Sequence, residues 1–271
     1  MRRVFKSIEH NDTFLNDGVV LAQLLTEDEA RELQNFYWED APSSGLGFHA
    51  TMFSRDAEYR ARVDSKIKEY LGPRLALFLD NYRCVVGNYV VKEHSRPGTE
   101  VSVHQDWTFV DERMMRSVNV WCSLVDTDSS NGGQSIFKGS HRIVDVLRGP
   151  YFPSPFVTHA ATIVEKYLME VPLRAGQAII YDHALVHATP PNRSQQTRVA
   201  ANMVLIPREA QLLHCYLDQG DPRARPELFA IDDEFFLHNK IGDRPANGRS
   251  LGFVDHAIPG ITLDQLPPVP A

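Results

Sequence analysis

The 271-residue sequence is poor in cysteine, and this limits the kinds of protein it can encode. Its three cysteines, Cys84, Cys122 and Cys215, are odd in number and widely separated. They exclude a disulfide framework, and the absence of a Cys-x-x-Cys pair excludes the common structural zinc sites. A metal site in this chain would therefore depend on the eleven histidines together with carboxylates.

The sequence also lacks long apolar segments and an excess of basic residues. No run reaches the length of a membrane helix, and no signal-peptide core follows the basic N-terminus, so we predict a cytoplasmic protein with no membrane partner. Lys and Arg total 28 against 35 Asp and Glu, a net charge of −7. This balance argues against a nucleic-acid partner, because phosphates require a basic surface.

What is present is an ordinary globular composition, with a hydrophobic fraction of 43% spread along the chain. Because there is no internal repeat and no low-complexity linker, we predict one domain over 1–271. It divides into a helical N-terminal part over about 1–80, a core over about 82–206 and a C-terminal extension over 207–271.

The N-terminal part is predicted to contain two helices. Thr26 and Glu29 form a capping-box pattern ahead of an apolar helical face. A second helix is predicted from near Asp56 to Leu71, where Gly72-Pro73 should end it.

From Tyr82 onward, β-branched and aromatic residues separated by turn residues predict strands. The predicted strands are 82–92, 100–104, 117–124, 134–137, 177–181 and 199–206. Helices followed by many short strands favour a mainly β fold, with a barrel-like core and flanking α-helices. The stretch 140–173 is either a connection between two halves of the barrel or a lid over a site.

His104 and Asp106 form the most informative pair, because residues two apart in a strand point to the same face and can chelate one cation. His187 is the candidate third ligand. A turn centred near Asn192 would fold the strand of Arg198 back beside that of His187, so that both would share one pocket wall. Two histidines and one carboxylate leave metal positions open, which favours non-haem Fe(II).

Each of these candidates has a competitor. His183 lies four residues before His187 and would share its strand face, although the spacing to Arg198 favours His187. Arg193 competes with Arg198 but lies in the turn, where we expect it to be solvated. Trp107 is either a core residue or part of a substrate entrance.

In their order and spacing these motifs resemble the phytanoyl-CoA dioxygenase family of Fe(II)- and 2-oxoglutarate-dependent oxygenases. The resemblance covers about 82–206. The matching residues are His104-Gln105-Asp106, Trp121, Asn131-Gly132-Gly133, Gly139-Ser140-His141-Arg142, Gly176, His187-Ala188-Thr189, Asn192 and Arg198.

The resemblance implies a double-stranded β-helix, a cupin-like jelly roll, with iron bound in its mouth. The residues at the iron positions are His104, Asp106 and His187. Arg198 would pair with the distal carboxylate of 2-oxoglutarate and Thr189 would donate a hydrogen bond to it. Trp121 would line the cosubstrate pocket, although it could equally be a core residue, and Lys92 on the preceding strand would face the site.

The implied activity is that of a dioxygenase using Fe(II), 2-oxoglutarate and O2. It would hydroxylate, or otherwise oxidise, an unactivated C–H bond of a small molecule and release succinate and CO2. Related halogenases carry a small residue where Asp106 stands, so a carboxylate here implies hydroxylation, desaturation or ring closure. The alternatives are a non-catalytic jelly-roll binding module and a cupin-like zinc hydrolase, although a hydrolase has no need of Arg198.

The family acts on acyl-CoA thioesters, free amino acids, alkaloids, terpenoids and other natural products. No concentrated basic patch for coenzyme A is evident in this sequence, so an acyl-CoA substrate is not favoured. Polar candidates around the motif favour an anionic or zwitterionic small molecule; they are Lys92, Trp107, Arg113, Arg116 and Asn119.

Overall fold

Helices lie mainly in the N-terminal part of the chain. A computed structural model describes residues 2–40, 47–221, 225–255, 260–267 and 269. The helices are α1 (Ile8–Asp17), α2 (Glu27–Asp40), α3 (Ala57–Phe78), α4 (Ala160–Lys166) and α5 (Phe235–His238). Single 3₁₀ turns occur at Thr51–Phe53, Ser140–Arg142, Val157–His159 and Leu263–Gln265.

The strands form three sheets in this part of the chain. They are β1 (Val19–Gln23), β2 (Phe48–Ala50), β3 (Tyr82–Lys92), β4 (Val101–His104), β5 (Val118–Ser123), β6 (Gln134–Ile136), β7 (Met169–Val171), β8 (Gln177–Asp182), β9 (His187–Thr189), β10 (Arg198–Pro207), β11 (Leu213–Tyr216), β12 (Glu227–Ala230) and β13 (Arg249–Phe253). A large sheet has the order β1-β8-β5-β10-β3-β2, a smaller one β4-β9-β6-β7, and the C-terminal extension forms β11-β12-β13.

The large and the four-stranded sheet pack face to face. Trp121 and Ile179 of the large sheet share a buried cluster with Ile136 and Val171 of the smaller one. The pairings are antiparallel throughout both sheets. This is a jelly-roll arrangement, and it confirms the predicted mainly β fold with flanking helices.

Strand β10 shows how one sequence pattern builds both faces of the large sheet, because successive side chains point to opposite sides. One set packs in the core beneath α2 and α3: Val199, Ala201, Met203 and Leu205. The alternate set faces the interior between the sheets and lines a cavity there: Arg198, Asn202 and Val204. The polar residues of a strand that is buried throughout are therefore confined to the cavity side.

The predicted cap of α2 is confirmed. Thr26 Oγ1 accepts a hydrogen bond from the Glu29 backbone N–H (3.2 Å), and the Glu29 carboxylate accepts one from the Thr26 N–H (2.8 Å). Two otherwise unpaired groups of the first turn are thereby satisfied, which fixes the start of the helix.

The predicted end of the next helix at Gly72-Pro73 is wrong, because α3 continues to Phe78 with Pro73 inside it. Leu71 and Leu75, on either side of the proline, are buried in the core, while Pro73 itself is exposed. Burial of that helical face outweighs the backbone hydrogen bond that proline cannot donate.

The N-terminal part is not only helical, since it also supplies two strands to the large sheet. β1 pairs with β8 and β2 pairs with β3, so both edges of that sheet come from residues before Tyr82. The stretch 140–173 acts at least in part as a connection, because it contains α4 and β7, and β7 pairs with β6. No helix among the described residues is long and apolar enough to cross a membrane.

Candidate metal centre

Two neighbouring strands and the loop after one of them bring three ligand-type side chains together. His104 ends β4 and is the register partner of His187, the first residue of β9. Asp106 follows in the loop after β4. One ligand atom from each residue lies within 4.8 Å of the other two. The Asp106 Oδ1 atom is 3.7 Å from His104 Nε2 and 3.9 Å from His187 Nε2.

The hydrogen bonds of both imidazoles suit metal binding. His104 Nδ1 lies 2.7 Å from the Ser102 carbonyl oxygen, and His187 Nδ1 lies 2.9 Å from that of Leu185. A carbonyl only accepts, so each Nδ1 carries the proton and each Nε2 presents its lone pair toward Asp106. Burial, followed by the charge of His104, lowers the pKa of His187 to about 4, which keeps that ring neutral at physiological pH. These residues therefore fit a divalent metal ion.

Asp106 is held as a carboxylate by its surroundings. Burial opposes its ionisation, but the neighbouring histidines, above all His187, and a hydrogen bond from Asn119 lower its pKa to about 2. Asn119 Nδ2 donates to Asp106 Oδ2 (2.7 Å) and also lies 2.9 Å from the Tyr181 hydroxyl oxygen. Asn119, one of the candidate substrate contacts, lines the cavity and holds the Asp106 carboxylate.

The loop that carries Asp106 is fixed by a residue that sequence reasoning missed. Arg148 Nε donates to the Asp106 carbonyl oxygen (2.6 Å), and its Nη2 is 2.5 Å from Glu112 Oε1. Arg148 and Glu112 are both buried, and their charges satisfy each other. A single arginine in an irregular stretch gives no periodic signal, so only the tertiary structure shows this role.

A buried cation lies in the same cavity as the three ligand-type residues. Arg198 is 1% exposed, its Nη1 donates to the Val90 carbonyl oxygen (2.8 Å), and its guanidinium carbon lies 5.2 Å from the Trp121 ring centroid. Burial lowers the pKa of Arg198 to about 9. Among the described residues no carboxylate forms an ion pair with it, so the site can accept an anionic ligand.

Thr189 and Lys92 lie near this cation but differ in what they contact. Thr189 lines the cavity, and its buried Oγ1 has no hydrogen-bond partner in the described part of the chain. The Lys92 side chain is fully buried, and its Nζ donates to the carbonyl oxygens of Thr189 (3.2 Å) and Pro190. Lys92 therefore fixes the chain after β9, and Thr189 presents a free hydroxyl to the cavity.

The predicted arrangement of His187 and Arg198 on neighbouring strands is wrong. β9 pairs with β4 and β6, whereas β10 pairs with β3 and β5, so the chain between them crosses from one sheet to the other. Asn192 stabilises this crossing by donating to the carbonyl oxygens of Lys92 (3.0 Å) and Gln196 (2.8 Å). The histidine and the cation consequently line the cavity from two different sheets.

The competing residues are also placed. β8 ends at Asp182, so His183 lies in a turn; it is fully buried and lines the cavity, but it is outside the three-residue cluster. Arg193 is exposed in its turn, as expected. Trp107 is half-buried and lines the cavity at its aromatic rim.

Arg113 and Arg116, two candidate substrate contacts, lie outside the cavity lining. Arg113 is bound to Asp111 (2.7 Å), and Arg116 Nε is 3.6 Å from Asp182 Oδ2. The cavity has a volume of about 240 Å³, which suits a small ligand.

Comparison with known proteins finds one with a similar sequence and several with a similar structure. Phytanoyl-CoA dioxygenase domain-containing protein 1 of Danio rerio is 29% identical over 108 residues, which cover 37% of this chain and 37% of that protein. The carbocyclase SnoK from nogalamycin biosynthesis has a TM-score of 0.56 at 21% identity, covering 76% of this chain and 86% of its own. HygX of Streptomyces hygroscopicus, solved with nickel, 2-oxoglutarate and hygromycin B, gives 0.50 at 13% identity, covering 75% and 88%.

At these identities the solved structures show a shared fold. The family model for phytanoyl-CoA dioxygenase matches residues 20–200, well over half of the chain. The predicted enzyme class and the predicted iron and 2-oxoglutarate cofactors are those of this family, so these predictions are confirmed for the family. The chain belongs to the phytanoyl-CoA dioxygenase family.

Proposed function

We propose that this protein is an Fe(II)- and 2-oxoglutarate-dependent dioxygenase that hydroxylates, or otherwise oxidises, an unactivated C–H bond of a small molecule. One observation carries the proposal: a cluster of two imidazoles and one carboxylate shares a cavity with a buried, unpaired guanidinium. A metal ion and an anionic cosubstrate would satisfy these two features together.

In this proposal the iron ligands are His104, Asp106 and His187. Arg198 binds the distal carboxylate of 2-oxoglutarate, and the free hydroxyl of Thr189 donates a hydrogen bond to it. Trp121 lies under the guanidinium and keeps its plane in place. Lys92 supports the same site indirectly by holding the carbonyl group of Thr189.

Bound iron and 2-oxoglutarate would supply the oxidising chemistry, in which 2-oxoglutarate and O2 become succinate and CO2 and one oxygen atom enters the substrate. The chain itself orients the reactants. Backbone carbonyl groups fix the tautomer of both histidines, Asn119 holds the Asp106 carboxylate, and the aromatic walls of the cavity exclude water.

The carboxylate of Asp106 bears on the reaction type. In place of the small residue of the halogenases, this chain presents a fully ionised acid held toward both histidines. We therefore propose hydroxylation or a related oxidation, and not halogenation.

The test is succinate release from 2-oxoglutarate in air with added Fe(II), screened over small natural products, amino acids and acyl-CoA thioesters. The wild-type protein should release succinate in an iron-dependent manner with at least one compound, and Asp106→Ala should not. Iron-independent binding without succinate release would favour the non-catalytic module, and hydrolysis supported by zinc would favour the hydrolase.

A further inference from the structure

The cavity described above also extends away from the metal ligands, and we call this part of the cavity the wing. Asp106 lies beside Asn119 of β5, and in the large sheet β10 and then β3 follow β5. Because neighbouring strands are spaced about 4.8 Å apart, residues of β3 lie roughly 10 Å from those of β5. The cavity extends over this distance to β3 and to the adjoining edge formed by β2 and the turn Thr51–Phe53.

Charge is scarce in this cavity. Among the described residues that line it, Asp106 and Arg198 are the ones with formally charged side chains. The proposed function assigns Asp106 to iron and Arg198 to 2-oxoglutarate. Among the described lining residues, no cation then remains to pair with a carboxylate or phosphate of the prime substrate, including the phosphates of coenzyme A. Likewise, no carboxylate remains to pair with an ammonium group of the substrate.

The walls of the wing are apolar and aromatic. Phe53 and Trp107 contact each other edge to face at the rim, with ring centroids 6.3 Å apart, although they come from different segments. Phe53 is 54% exposed, and its chain neighbour Met52 is half-buried. Rings that stand partly exposed around a cavity mouth favour a ligand with a flat apolar surface.

Within this apolar wing, β3 presents an amide that has no partner. Asn88 is 2% exposed, and neither its Oδ1 nor its Nδ2 has a hydrogen-bond partner in the described part of the chain. It is the register partner of Asn202 on β10, and both side chains line the cavity. A buried amide left without partners is unfavourable, so a ligand that offers a neutral donor or acceptor would be bound there.

We propose, on the basis of the function proposed above, that the prime substrate is an uncharged, ring-bearing small molecule with a hydroxyl or carbonyl group. Its ring packs against Phe53 and Trp107, and its oxygen binds the amide of Asn88. This replaces the expectation of an anionic or zwitterionic substrate, and it excludes coenzyme A thioesters and free amino acids.

The test uses three ring probes of one size that differ in charge: 2-naphthol, 2-naphthoate and 2-(aminomethyl)naphthalene. Their binding to the full chain, loaded with Mn(II) and 2-oxoglutarate without oxygen, is measured by equilibrium dialysis at neutral pH. The uncharged naphthol should bind about tenfold more tightly than either charged probe.

Two variants test the named contacts. Asn88→Leu, close in size, should weaken 2-naphthol binding by about tenfold and leave 2-oxoglutarate binding unchanged. Phe53→Leu should weaken it as well, whereas the matched control Phe253→Leu, on a phenylalanine of β13 that is also more than half exposed and lies outside the cavity, should not.

Tighter binding of the naphthoate or the amine, or no binding of any probe, overturns the proposal. So does an Asn88→Leu variant that loses 2-oxoglutarate instead of naphthol, since Asn88 would then serve the cosubstrate. Failure of the dioxygenase proposal is distinguishable, because metal-dependent 2-oxoglutarate binding would then be absent from the wild-type protein whatever the probes do.

Discussion

At the scale of single residues, the central feature is a set of side chains whose hydrogen-bonding or charge requirements the described protein atoms leave unmet. Arg198 is buried without a carboxylate, and Thr189 is buried without a partner for its hydroxyl. The Nε2 atoms of His104 and His187 converge on Asp106, while their Nδ1 atoms are satisfied by the backbone. Such groups are unfavourable in an empty cavity, and ligands that meet all of them at once explain why they are there.

Arg198 and Arg193 provide a matched pair, since both follow β9 and one is buried while the other is exposed. Arg198→Lys should weaken 2-oxoglutarate binding by about tenfold or more, because an ammonium group cannot form the two parallel hydrogen bonds of a guanidinium. Arg193→Lys should leave it unchanged. Calorimetric titration of the Mn(II)-loaded proteins measures both, and equal effects of the two changes would remove Arg198 from the site.

His187 and His183 provide a second pair of this kind. His187→Ala removes a proposed ligand and should lower Mn(II) affinity by about a hundredfold or more, beyond the effect of losing an outer contact. His183→Ala should bind Mn(II) nearly as well as the wild type, because His183 packs against Phe109 with ring centroids 4.7 Å apart and lies outside the ligand cluster. Metal affinity measured by equilibrium dialysis decides between them; loss in both variants would mean that His183 also binds the metal.

At the scale of secondary-structure elements, local sequence patterns predicted where the strands lie better than they predicted which strands pair. Alternation and β-branched residues located β3, β5, β8 and β10. The two-residue spacing of His104 and Asp106 predicted one shared strand face, whereas β4 ends at His104 and Asp106 lies in the loop that follows. The partner strand of β10 could not be read from the sequence. A turn at Asn192 fits a hairpin as well as a crossing between sheets, and only packing of the whole core selects the crossing.

Helix α3 shows the same limit, because Pro73 was expected to end it. The helix continues because its buried face on both sides of the proline packs in the core. Near the proline, Arg74 Nη1 donates to the Tyr70 carbonyl oxygen (2.8 Å). A local breaker is therefore tolerated at an energetic cost.

Pro73→Ala should raise the free energy of unfolding by about 1–2 kcal/mol. The gain comes from restored helix propensity, and it is reduced by the greater freedom of alanine in the unfolded chain. Pro153→Ala, at an exposed proline outside regular structure, should give no gain. Urea unfolding followed by circular dichroism measures both. A Pro73→Ala variant that is no more stable than the wild type would show that Pro73 does not destabilise the helix.

At the scale of the whole molecule, folding buries imidazoles that the unfolded chain exposes. Burial lowers the pKa of His141 and of His214 to about 4, below the usual value near 6.5. The unfolded state therefore binds more protons between these two pH values. The stability they provide is complete above about pH 6.5 and is lost as the pH falls toward 4.

His214 lies against the rings of Phe235 and Phe236 in the C-terminal part of the chain. His214→Phe should make the free energy of unfolding less dependent on pH between about 6.5 and 4, by on the order of 2 kcal/mol over that interval. Denaturant titrations of both proteins across the interval test this. An unchanged pH dependence would mean that His214 is not buried in its neutral form.

The proposed activity requires that a metal ion and 2-oxoglutarate bind together in one cavity between the two sheets. Calorimetric titration of 2-oxoglutarate into the full chain, with and without Mn(II) and without oxygen, tests this directly. We expect one 2-oxoglutarate to bind per chain, only when metal is present, and this binding to be lost in Arg198→Gln. Binding that needs neither the metal nor Arg198, or no binding at all, would contradict the proposed activity.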